Sequence, residues 1–220
     1  MKLEVHPIFK LIAKGEHQTQ DFKYCISDSR KIAKSLVAFA NTDGGRLLIG
    51  VKDNGKIIGV RSDEEYYMVE AAAKIYSNPK IDFTTQQWNV EGKIILEVMI
   101  EPSPLKPHFA QTETGNWVSF VRKKDENILA NNVLLKSWKL ERSDKGLFFK
   151  YDEPRKKLID YLNEHQTITL SKFVKIALIT RNHAENILAE LLFIKCIEAR
   201  FDEIPVNYLL NQDFNMKELK

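Results

Sequence analysis

The sequence predicts a mixed-sheet α/β (α+β) domain followed by a small, mostly helical domain, and three observations carry that prediction. Residues Leu36 to Val60 (LVAFANTDGGRLLIGVKDNGKIIGV) compress a helix end, two glycines, an apolar strand and a polar turn into one stretch. Between Ser62 and Leu140 helical patterns alternate with hairpin signals, as in a sheet covered by helices. Beyond a mixed-charge stretch from Glu141 to Pro154, the pattern changes to short amphipathic helices. The domains that follow are residues 1–145, a linker 146–154 and a second domain 155–215.

Taken in order, Met1 to Gly15 form an arm whose apolar residues Ile8, Phe9, Leu11 and Ile12 suit one docked helical turn. Thr19 to Cys25 alternates as a strand, with Asp21 and Lys23 on one face and Phe22 and Tyr24 on the other. From about Asp28 to Asn41, apolar residues Ile32, Ala33, Leu36, Val37 and Ala40 recur at helical spacing. Asn41-Thr42-Asp43-Gly44-Gly45 ends that helix with residues that tolerate left-handed backbone. Leu47 to Val51 is a short apolar run suited to a strand covered on both faces. Asn54-Gly55 is a hairpin signal, which predicts that Ile57 to Val60 returns as the partner strand.

Ser62 and Glu65 form a capping box opening a helix through Ala71 to Tyr76, which Asn78-Pro79 ends. Phe83 to Val90 and Lys93 to Ile100 flank Glu91-Gly92 as a hairpin. Pro102, Pro104 and Pro107 make a loop without ladder donors. Trp117 to Arg122 reads as a strand, and Asn127 to Leu140 as a helix burying Ile128, Leu129, Val133, Leu134 and Trp138. In the second domain the helices are Arg155 to Glu164, Leu170 to Ala177 and Arg181 to Phe193, a helix-turn-helix pattern. Cys196 to Tyr208 then alternates around an Asp202-Glu203 turn, as a two-stranded wing would.

Composition narrows the class. Hydrophobic residues at 44% and charged residues at 29% are those of an ordinary globular protein. Of the net charge of +3, residues 1–150 contribute 23 Lys+Arg against 19 Asp+Glu, and residues 151–220 contribute 10 against 11, so the basic excess lies in the first part. Cys25 and Cys196 lie far apart in apolar surroundings, as buried free thiols do. No run has the length of a signal peptide or membrane span, and a cytoplasmic protein is expected. His6, His17, His108, His165 and His183 are scattered, without metal-ligand spacing. Gly50 to Ile57 superficially fits a phosphate-cradling G-x4-G-K loop. Ile57 stands where such a loop needs Ser or Thr, and no helix follows, so that reading fails.

The segment AFANTDGGRLLIGVKDNGKIIGV, with the upstream E-x4-D-F-K of Glu16 to Lys23, resembles the Schlafen-type, AlbA-like DNA-binding domain of many bacterial proteins and of the core of the Schlafen proteins. The similarity covers roughly residues 10–143. The carboxy-terminal pattern resembles a winged helix. The first resemblance implies nucleic-acid binding, and it also implies a three-acid nuclease site at Glu16, Asp21 and Asp53, with Lys23 at the scissile phosphate. Such carboxylates would hold Mg²⁺ or Mn²⁺, which activates water and offsets phosphate charge. The family pattern usually has Glu where this chain has Asp21, one methylene shorter. Turn chemistry alone also accounts for Asp53, and Asp21 with Lys23 also fits a surface pair on an edge strand.

For nucleic acid, Arg30, Lys31 and Lys34 on the first long helix and Arg122, Lys123 and Lys124 beside the Trp117 strand could neutralise phosphates. Arg181, Asn182, His183 and Asn186 occupy the start of the third short helix, where base edges are read in helix-turn-helix proteins. The function expected is therefore non-enzymatic nucleic-acid binding, of duplex DNA first, by a cytoplasmic bacterial transcription regulator with no cofactor. Two alternatives stand beside it: a Mg²⁺- or Mn²⁺-dependent nuclease acting on RNA or DNA, and a protein-interaction adaptor or homo-oligomerisation module.

Overall fold

The computed structural model describes residues 6–144, 146–201 and 205–215. The chain divides into two compact units, Met1–Leu129 and Ala130–Lys220.

In the first unit, α1 (Pro7–Ile12), β1 (Gln20–Lys23), α2 (Ser29–Asn41) and β2 (Gly45–Ile49) come first. They are followed by α3 (Glu64–Lys74), β3 (Ser77–Asn78), β4 (Thr84–Val90) and β5 (Lys93–Ile100). The unit closes with β6 (Phe109–Gln111), β7 (Trp117–Val118), β8 (Phe120–Lys123) and β9 (Glu126–Leu129). The main sheet runs β1-β2-β5-β4, with β1 parallel to β2 and the other pairs antiparallel. Against one face α2 buries Leu36, Val37, Phe39 and Ala40 with Leu47, Ile49 and Val98. The opposite face is covered by Ile8 of α1, packed with Phe22, Leu48, Val90 and Ile95.

The sequence signals at the α2–β2 junction act as expected. Asp28 caps α2 by accepting the Arg30 backbone N–H at 2.8 Å. After α2 the chain turns through Gly44 and Gly45, both at positive φ. A Cβ on Gly45 would stand 2.5 Å from the Phe39 ring, and one on Gly44 2.6 Å from the Ile100 carbonyl oxygen. Only glycine permits this close return of the chain. Only half of the capping box forms: the Glu65 carboxylate accepts the backbone N–H groups of Arg61 and Ser62, each at 3.2 Å, but α3 starts one residue later than expected, after Asp63, and the Ser62 hydroxyl accepts from the Glu64 N–H at 3.3 Å.

Three expectations are corrected. Ile57 to Val60 does not pair with β2 as a strand. Both edges of β2 are already taken, by β1 and β5, and the return keeps one isolated bridge, Val51 to Ile57. The Trp117 to Arg122 strand is broken at Ser119, whose hydroxyl donates to the His108 carbonyl at 2.8 Å, so β7 and β8 join different partners. Asn127, Ile128 and Leu129 are strand, not helix: they form β9 in a hairpin whose turn holds Lys124 at φ 55°.

In the second unit, α4 (Asn132–Glu141), α5 (Glu153–His165), β10 (Thr167–Thr169), α6 (Leu170–Ala177), α7 (Arg181–Phe193), β11 (Ile197–Arg200) and β12 (Asn207–Leu210) follow one another. Helix α4 begins at the Asn131 cap, whose side chain accepts the Leu134 N–H at 2.9 Å, and it packs on α7 within this unit. A three-stranded antiparallel sheet has the order β10-β12-β11. Its core gathers Leu158, Leu162, Phe173, Ile187, Leu188, Leu191 and Tyr208. Cys196 is fully buried there, and burial pushes its thiol up to about 11, so it is inert. The expected Asp202-Glu203 turn lies outside the described residues. Among the described residues no helix is long and apolar enough to cross a membrane.

Candidate nucleic-acid interface

Two groups of charged side chains sit in the first unit, one closed and one open. The closed group grows from β1. Strand alternation turns Phe22 into the core beneath the sheet and puts Asp21 on the α2 side, where it is 3% exposed. Asp21 Oδ1 accepts from Arg122 Nη2 at 3.3 Å, and Oδ2 meets Lys23 Nζ at 2.6 Å and the Ser35 hydroxyl at 3.5 Å. Arg122, itself 2% exposed, also donates to the carbonyls of Gln20 and His17 and to Asn127 Oδ1, and its guanidinium lies 5.2 Å from the Phe39 ring centre. Glu16 completes the group by accepting the Phe22 backbone N–H at 2.9 Å.

The two acids are driven apart electrostatically. Burial, then a hydrogen bond with Asp21, raises the Glu16 carboxyl above the ordinary glutamate value. Burial also pulls Asp21 upward, but the Glu16 hydrogen bond, Lys23 and Arg122 together outweigh it, and Asp21 is held below the ordinary aspartate value. The expected carboxylate set is thus half assembled. Glu16, Asp21 and Lys23 meet, whereas Asp53 stays exposed in its turn, where Gly55 N–H closes on the Lys52 carbonyl at 2.7 Å. Among the described residues no group of three or more His, Cys, Asp or Glu is placed to hold a metal ion. A cation on Asp21 would have to displace an ammonium at 2.6 Å and a guanidinium. This donor set is therefore that of a neutralised ion-pair cluster and does not fit Mg²⁺ or Mn²⁺.

The open group lies on α2. Arg30, Lys31 and Lys34 line a cleft of about 300 Å³ with Ala110, Gln111, Phe120 and residues 112–114. Lys34 Nζ lies 5.0 Å from the Phe120 ring centre, and the Arg30 guanidinium 4.7 Å from that of Tyr76. Lys31 and Lys34 are exposed, and Arg30 Nε is buried without a hydrogen-bond partner. The three Arg122-Lys123-Lys124 cations do not act as one patch. Arg122 is consumed inside the closed cluster, so the expectation that it neutralises phosphate is corrected by its burial. Lys123 is half-buried and Lys124 exposed in the β8–β9 turn, beside exposed Asp125 and Glu126.

In the second unit Arg181, Asn182, His183 and Asn186 are all exposed at the start of α7, which Thr180 caps through the His183 N–H at 3.3 Å. Glu185, between them, is 5% exposed. Burial pulls Glu185 upward, but Lys136 of α4, Asn132 and Arg181 hold it below the usual value. Lys136 Nζ reaches Glu185 Oε2 at 3.0 Å and Asn182 Oδ1 at 2.7 Å. Asn182 is therefore already engaged by α4. Sequence reading missed this bridge, and it missed Tyr76, Gln111 and Phe120 beside the α2 cations. For Lys136 one signal existed: a glutamate one position beyond buried Ala184 needs a cation when it is buried.

A family model for the Schlafen AlbA_2 domain matches residues 16–131. This chain belongs to that family. The match includes both charge clusters and the paired glycines. Among solved structures, the Schlafen AlbA_2 chain is similar to the DIP2311 protein of Corynebacterium diphtheriae, at 19% identity and a TM-score of 0.43, over 59% of this chain and 25% of that one. It is also similar to the N-terminal domain of a RecG-related protein from Nitrosomonas europaea, at 21% identity and a TM-score of 0.38, over 66% of this chain and 94% of that one. It thus spans about a quarter of the length of the Corynebacterium protein. No curated protein matches it.

Proposed function

We propose that this Schlafen AlbA_2 protein is a nucleic-acid-binding regulator, acting on DNA and not as an enzyme. The observation that carries the reading is the α2 cleft, where Arg30, Lys31 and Lys34 converge while their counterparts in the closed cluster are neutralised. Among the described residues these cations have no carboxylate partner, and such cations release counterions from a phosphate backbone. Family membership supports the same class of ligand. The reading extends to the second unit as a winged helix with α7 as its recognition helix, supported by the element order α5, β10, α6, α7, β11, β12 and by the exposed polar residues Arg181, His183 and Asn186 on α7.

The test is polarisation of labelled DNA and RNA over a salt series with Mn²⁺ present, with each mixture then run on a denaturing gel. Binding that weakens steeply with salt while the probe stays intact is the expected result, and salt-indifferent affinity refutes it. A shortened probe would instead favour the nuclease and overturn the reading of Glu16, Asp21 and Lys23 as a neutralised ion-pair cluster. An adaptor role for the second unit has one observation behind it. Leu178, in left-handed backbone between α6 and α7, is 86% exposed. A monomer at all concentrations that retains no partner protein on purification would remove that role.

A further inference from the structure

A phosphate backbone alone asks for cations and water, and has no use for an apolar floor. The cleft beside α2 has both: a rim of Arg30, Lys31 and Lys34, and a floor of Ala110 and Phe120, which are 2% and 9% exposed. We propose that this cleft receives an unpaired nucleobase, so that the preferred ligand is single-stranded nucleic acid rather than undistorted duplex. The proposal deepens the nucleic-acid-binding reading and rests on it.

Size is the first reason. A volume of about 300 Å³ is at the small end of ligand pockets and admits one flat ring with its sugar, whereas a duplex offers its bases only edge-on inside a groove. Chemistry is the second. Single-strand binders combine a positive track for the backbone with aromatic faces that take bases regardless of identity. Phe120 supplies such a ring, and the cation now above it sits on the flexible stem of exposed Lys34, which can swing toward a phosphate as the base enters. Gln111, Thr112 and Thr114 bring amide and hydroxyl groups to the wall, the types that pair with exposed base edges. Glu113, exposed on that wall, repels phosphate and so directs the backbone to the α2 side. Trp117, 43% exposed, is the cross-strand partner of Gln111 and adds a second ring on the same strand pair.

The experiment compares four fluorescent probes of equal length: oligothymidylate, oligouridylate, an abasic strand with the same phosphates, and a duplex. Base-bearing single strands are expected to bind about tenfold or more tighter than the abasic strand. Phe120→Leu should bring that ratio close to one. Because Phe120 also belongs to the core, a second measurement uses the unaltered protein. A strand carrying 5-iodouracil is photocrosslinked, and the label is expected within residues 109–120 or on α2. Equal affinity for abasic and base-bearing strands, duplex bound as tightly as single strand, or crosslinks confined elsewhere would each overturn the cleft proposal while leaving nucleic-acid binding intact. Failure to bind any probe at low salt would overturn both. The thymidylate and uridylate arms separate DNA from RNA.

Discussion

The closed cluster around Asp21 and the open cleft beside α2 are built from the same residue types and share one helix: Ser35 of α2 touches Asp21, and Lys34 of α2 lines the cleft. In the first, Asp21 and Arg122 are buried against each other while Lys23 and Glu16 are half-buried at the edge; in the second, the lysines are exposed and, among the described residues, no carboxylate pairs with them. The difference teaches that a basic residue near a motif says little until its burial is known. Arg122 and Lys34 look equivalent as sequence, yet one is buried in an ion-pair cluster and the other is exposed.

The comparison is most exposed to failure at Arg122. Arg122→Ala leaves Asp21 buried with only Lys23 opposite, and should cost about 3–5 kcal/mol of unfolding free energy, read by urea denaturation. A loss below about 1 kcal/mol would show the cluster to be surface-like after all. The open cleft should behave in the opposite way. Lys31→Ala with Lys34→Ala should leave stability within about 0.5 kcal/mol per site, while the slope of log affinity against log salt falls by roughly 1–2 units in binding titrations. A smaller effect is expected in the second unit. Lys136→Ala removes one of two cations from buried Glu185 and should lower its unfolding free energy by about 1 kcal/mol in thermal melts.

The smallest effect separates the two acids of the closed cluster. Glu16 is raised in the fold, so its contribution is fully present below the ordinary value of 4.5 and is lost as pH rises through the raised one. Asp21 is lowered, so its contribution is present above the ordinary value of 3.8 and is lost as pH falls through the depressed one. Urea midpoints of the wild type should therefore lose ground to those of Glu16→Gln as pH climbs above 4.5. Parallel curves for the two proteins would mean that the fold does not raise the Glu16 carboxyl.

What was readable in the sequence was local. The Gly44-Gly45 turn and the β4–β5 hairpin at Glu91-Gly92 depend on neighbours a few residues away, and each forms. What was not readable was long-range. The partner of β2 is β5, about fifty residues on, and nothing in the Asn54-Gly55 turn announces that both edges of β2 are already taken. Arg122 meets Asp21 across 101 positions, so its burial could not be foreseen from the Arg-Lys-Lys run. The α2 cations were legible as a helix face, but their apolar floor comes from β6 and β8. Asp53 was legible as a turn residue, and a turn residue is what the structure makes of it.

Gly45 reaches further than its turn. Its missing side chain lets Phe39 lie flush against the backbone, and the same ring sits beside the guanidinium that holds Asp21. The glycine pair and the acidic strand motif, far apart in the chain, therefore behave as one mechanical part. Changes at Gly45, Phe39, Arg122 and Asp21 should be strongly non-additive in combination, so any one of them will look tolerable or fatal according to the state of the other three.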